Sequence, residues 1–139
     1  MFKKLFTLIF SILLITINAQ KLTICSKYKN DLYEIFNGKY QKDLCTTTND
    51  FGFAVCELYT LQISEKYIIL NIDGQNIEKE LKLFSTKINK NSYQIFDENF
   101  NKIGMIYIVK NTFYFNYKYY LKNADEKKIN IGYKFNKIE

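Results

Sequence analysis

From residue 20 onward, short runs of β-branched and aromatic residues alternate with clusters of Asn, Asp, Gly and Lys, and apolar and polar positions change places every one or two residues. That is the pattern of half-buried strands joined by turns, and helical periodicity is scarce. The runs predict strands over residues 21–28, 32–36, 39–44, 53–63, 66–72, 75–84, 86–88, 93–96, 103–109, 112–121 and 129–135. A short helix over 31–36 competes for the second of these, and a helical turn around Ile77, Glu80 and Leu81 competes within the sixth, so about nine or ten strands are expected. Asn37-Gly38 and Asp73-Gly74 suit two-residue hairpin turns, because both positions of such a turn accept positive φ. Short polar links between successive strands imply antiparallel neighbours. The expected fold is therefore all-β, a small antiparallel meander closing as a barrel or a two-sheet sandwich.

Two strands alternate cleanly enough to assign faces. In the last one, Ile129, Ile131, Tyr133 and Phe135 should point inward, and Asn130, Gly132 and Lys134 outward. In the strand before it, Phe113, Phe115, Tyr117, Tyr119 and Leu121 form the core face. Thr112, Tyr114, Asn116, Lys118 and Tyr120 form the other.

The first nineteen residues follow a different pattern. Lys3-Lys4, thirteen mostly apolar residues from Leu5 to Ile17 and the small Ala19 have the layout of a cleaved secretory signal, which leaves residues 20–139 as a single β domain. The apolar run is too short to span a bilayer, and no second one follows, so no transmembrane segment is expected in the mature chain. The expected location is outside the cell or in the secretory-pathway lumen. An oxidising compartment also changes the reading of the cysteines at 25, 45 and 56. Cys45 and Cys56 flank a loop-like stretch and are the favoured pair, leaving Cys25 as a free or interchain thiol and a route to a homodimer, while the sequence also allows Cys25 to pair with either of them.

Composition removes several kinds of chemistry. The chain has no His, so the commonest general base and an imidazole metal ligand are both missing. Its five glycines are scattered, which leaves no glycine-rich phosphate cradle. Neither Asp73-Gly74 nor Asp97-Glu98-Asn99 has the ligand spacing of a calcium loop. No enzyme activity, cofactor or metal is expected. All 20 basic residues are Lys, and residues 102–139 hold eight of them against three acids, so the last third is a basic block.

What survives is recognition. Tyr114, Asn116, Lys118 and Tyr120, joined by Asn130 and Lys134 from the next strand, would present flat rings with hydrogen-bond donors on one face. Such a face suits a carbohydrate, an anionic ligand or a partner protein outside the cell. Nucleic acid is not expected behind a secretory signal. An interior cavity for a small apolar ligand is a further expectation, lined by Phe113, Phe115, Tyr117, Ile131, Tyr133, Met105 and Tyr107. The alternative is a structural or assembly subunit of a secretory granule or extracellular layer, built through an interchain disulfide or an unpaired sheet edge.

Overall fold

The computed structural model describes residues 30–47 and 52–139. The expected signal segment, the strand at 21–28 and Cys25 lie outside the described residues. Eight antiparallel strands close into a barrel in sequence order: β1 (Gly38–Thr47), β2 (Ala54–Ile63), β3 (Ile68–Gly74), β4 (Ile77–Asn89), β5 (Ser92–Phe96), β6 (Lys102–Val109), β7 (Thr112–Tyr117) and β8 (Tyr133–Lys137). Of the two architectures the alternation allows, the barrel is the one formed.

Strand β4 is a single strand where the sequence suggests two. It pairs with β3 through Ile77–Leu83 and with β5 through Phe84–Asn89, so one continuous segment turns the corner between the halves of the wall. The hairpin that feeds it turns at Gln75-Asn76 rather than at Asp73-Gly74. Packing decides this register. The observed pairing sets Ile68 against Leu83 and Leu70 against Leu81, whereas a turn two residues earlier would set Ile68 against Lys79. At Lys110-Asn111 local preference and register agree: both residues have positive φ, 48° and 60°, and Val109 pairs with Thr112.

The interior is filled by side chains in mutual contact. Tyr59, Leu61, Leu70, Leu83, Tyr93, Ile95, Ile106 and Phe115 have no exposed surface. Phe113 stacks on Tyr40 at 5.0 Å between ring centroids and meets Phe36 and Phe135 at 5.6 and 6.1 Å. Burying so many rings supplies much of the driving force for closure.

Each end of the barrel is covered. At the end where β1 begins, residues 30–36 form a turn, not the expected strand, because Leu32 and Phe36 are spaced to share one face of a helical turn. The Phe36 amide donates to the Leu32 carbonyl at 2.8 Å, and both side chains enter the core. Asn30 fixes this plug. Its side-chain amide donates to the Ser64 carbonyl at 2.9 Å, and its carbonyl accepts from the buried Ser85 hydroxyl at 2.7 Å. Beside the plug the buried Tyr93 hydroxyl has no hydrogen-bond partner among the described residues.

The opposite end is covered by residues 118–132, which also strap an incomplete seam. β1 pairs with β8 at Tyr40↔Lys137 and Gln41↔Asn136, a contact that Lys39 extends by donating its amide to the Glu139 carbonyl at 3.2 Å and accepting the Ile138 amide on its carbonyl at 2.9 Å, while β1 continues to Thr47 beyond the ladder. Asp125 takes over along that free stretch. Its amide donates to the Cys45 carbonyl at 2.7 Å, and its carboxylate accepts from the Thr47 amide and hydroxyl at 3.1 and 2.8 Å. Glu126 pairs with the largely covered Lys42 ammonium alongside. Cys45 and Cys56, directly opposed on β1 and β2, are joined by a disulfide, as their spacing suggests.

Candidate functional site

The residues singled out in the sequence separate into two groups according to where the ladder stops. Tyr114 lies between Tyr107 on β6 and Lys134 on β8, directly opposite each, and all three side chains are on the outside of the barrel. Asn116 shares that face next to Met105. It donates from Nδ2 to the Asn130 carbonyl at 3.5 Å and accepts the Lys128 ammonium on Oδ1 at 3.0 Å. Here alternation holds, and Tyr114, Asn116, Asn130 and Lys134 are brought together.

It fails one residue beyond Tyr117. β7 ends there, and the last ladder-like bond runs from the Lys118 amide to the Ile103 carbonyl at 2.9 Å, after which the chain turns over the barrel end. Lys118 stays exposed, its ammonium at 3.4 Å from the Lys102 carbonyl. Tyr120 leaves the proposed face altogether. It packs into the barrel end, with its ring 5.0 Å from those of Tyr59 and Tyr133 and its hydroxyl donating to the Phe115 carbonyl at 2.6 Å. Tyr119, assigned to the core, is instead 65% exposed. The expected strand at 129–135 is likewise shortened: Ile129 bridges to Gly132 around a tight turn and is exposed, while Tyr133 and Phe135 are buried as expected.

The tyrosines under the 118–132 strap form a second cluster, with Tyr59, Tyr117, Tyr120 and Tyr133 in ring contact. The Tyr59 hydroxyl donates to the Glu57 carboxylate and accepts from the Leu121 amide at 2.8 Å. Burial, reinforced by the Glu57 carboxylate, holds the Tyr59 hydroxyl far above the ordinary tyrosine range. Burial pushes Tyr117 up to about 12 and Tyr120 well above its usual value. The Tyr59, Tyr120 and Tyr133 hydroxyls, bonded to the Leu121 amide and to the Phe115 and Glu126 carbonyls, bind the strap to the barrel.

Met105 and Tyr107, expected to line an interior cavity, stand outside, because they alternate with the inward Ile106 and Ile108. They belong to the outer face with Tyr114, a membership that extending the same alternation to β6 would have revealed. Lys128 joins the face from the strap, and no periodic signal places it there. A groove of about 250 Å³ lies beside the seam, lined by Gln41, Lys42, Asp43, Asn136 and Ile138, but it is open to solvent and the Lys42 ammonium is engaged by Glu126.

The strand carboxylates are confined to β1–β4, whereas lysines occur on both halves of the wall. β5, β6, β7 and β8 contain no Asp or Glu, while they carry Lys102, Lys134 and Lys137. Their outer face therefore combines tyrosine rings, an amide and ammonium groups with no carboxylate among them. The chain is a closed, eight-stranded antiparallel barrel whose β5–β8 strands carry no carboxylate. No family model, no curated protein and no solved structure matches it.

Proposed function

We propose that the chain is a secreted, non-enzymatic binding module that recognises an anionic partner through the outer face of β6–β8. The observation that carries this reading is the Tyr107–Tyr114–Lys134 row with Asn116 and Lys128 beside it, on a set of strands free of carboxylates. A half-buried ring gives a flat platform of low conformational cost, and nearby ammonium groups favour negative charge without the bidentate geometry that an arginine would impose. An acidic carbohydrate or an acidic protein surface meets those requirements. The contact between rings in the interior favours the outer face over the small apolar ligand that a hollow barrel would hold.

Binding of the full mature chain to dextran sulfate, with neutral dextran as reference, tests the reading. Retention on the sulfated polymer should weaken as salt rises and should weaken again in Tyr114→Ala and Lys134→Ala. Equal behaviour on both polymers, or indifference to both substitutions in folded variants, would remove the proposal.

The assembly reading keeps one observation in its favour. The Cys45–Cys56 bond accounts for two of the three cysteines and leaves Cys25 without a partner in that pair, so an interchain bond through Cys25 is the route by which subunits would be linked. Pairing through a sheet edge has less support, because the free stretch of β1 is occupied by Asp125.

A further inference from the structure

The partner that the basic face requires is present on the opposite side of the same barrel. In a closed ring of eight strands, β4 stands across the barrel from β8 and β3 across from β7. The register aligns Asp43, Leu58, Asp73 and Glu78 in one row across β1 to β4, and Glu80 lies in the adjacent row. All four carboxylate side chains are exposed, and none makes an ion pair among the described residues. On the β6–β8 side, Lys128 and Lys134 are exposed and likewise have no carboxylate partner among the described residues. Carboxylates without an ion-pair partner thus stand on one side of the barrel, interleaved on β4 with Lys79 and Lys82, and unpaired ammonium groups stand on the other.

We infer that the chain associates head to tail, the Tyr114–Lys134 face of one copy seated on the Asp73–Glu78 face of the next. This rests on the binding reading given above and names its partner as a second copy. The interface is heterologous, since different surfaces meet, so it propagates into a linear array unless the rotation between copies closes a ring. Charge complementarity sets the register, and Tyr114 supplies the apolar contact. Because the attraction is between exposed charges, it is confined to low ionic strength and high protein concentration.

The test is sedimentation of the full mature chain in a Cys25→Ser background, which excludes interchain disulfides. At low salt the mean mass should grow with concentration, and at high salt it should return to that of the monomer. A Lys128→Glu/Lys134→Glu variant keeps only the acidic face, and an Asp73→Lys/Glu78→Lys variant keeps only the basic one. Each alone should be monomeric, and a mixture of the two should stop at a discrete dimer, because one working interface is left. Circular dichroism establishes that both variants fold. A wild-type chain that stays monomeric at low salt, or a mixture that forms no dimer, overturns head-to-tail association. If dextran sulfate still binds that monomer in a Lys134-dependent way, the basic face keeps its proposed role and the partner is another molecule. If neither is seen, both readings fall.

Discussion

Alkaline titration offers the most direct check on the aromatic interior. Tyr40, Tyr59, Tyr93, Tyr117, Tyr120 and Tyr133 are all held above their usual range, in each case chiefly because burial penalises the phenolate. A value raised by folding means that the native state binds the proton more tightly than the unfolded chain. The associated stability is complete below pH 10 and is lost as the pH rises through the native value. For Tyr117, which moves from 10.0 to about 12, the loss is about 1.4 kcal/mol at about pH 11 and about 2.7 kcal/mol above both values. The other five act in the same direction, so a protein of ordinary marginal stability should unfold in this range. Tyrosinate absorbance at about pH 11 should fall short of that of the urea-unfolded chain, and it should rise together with the loss of near-ultraviolet circular dichroism. Tyr117→Phe keeps the ring and removes the ionising group, so its alkaline midpoint should move upward. Ionisation of all the tyrosines in step with the unfolded chain, with the near-ultraviolet spectrum intact, would refute the argument.

Three further outcomes follow from the geometry. Gly132 has φ +100°, and a Cβ there would lie 2.2 Å from the Phe115 carbonyl oxygen, whereas one at Gly52, with φ +70°, would meet nothing within 4 Å. Gly132→Ala should therefore cost about 2–4 kcal/mol in urea denaturation and Gly52→Ala about 1 kcal/mol. Asp125→Ala removes two bonds from the strap and should cost about 1–2 kcal/mol, with faster hydrogen exchange at Thr47; unchanged exchange there would contradict the role given to the strap. Reducing Cys45–Cys56 frees a short loop, with a sequence separation of 11, and should lower the denaturation free energy by about 2–3 kcal/mol without loss of the barrel spectrum.

Fold class, the Lys110-Asn111 turn and the Cys45–Cys56 pair were legible because each depends on local chemistry or an unbroken period of two. Errors arose where a local signal met a non-local one. Asp73-Gly74 has the composition of a hairpin turn, but Ile68, Leu70, Leu81 and Leu83 had to face one another inside, and the turn moved to satisfy them. Tyr119 and Tyr120 continue the alternation of β7 in sequence, yet alternation carries no mark of where a partner strand ends. Once pairing with β6 ceased, their sides exchanged. Of the proposed face, Tyr114 and Lys134 were readable from strand period alone. Lys128 was not, since its place depends on how the strap crosses back toward Asn116.

The short seam between β1 and β8 bears on how the molecule assembles in time. Every other strand pairing joins neighbours in sequence, so those hairpins can form with little loop entropy at stake. Closing the ring brings together segments separated by nearly the whole domain, and the join is short: two ladder pairs, the backbone bonds of Lys39 with Ile138 and Glu139, and the Asp125 strap with the Lys42–Glu126 pair beside it. That line should be the last to form and the first to breathe, leaving an open, curled meander as the molecule's lowest-lying excited state.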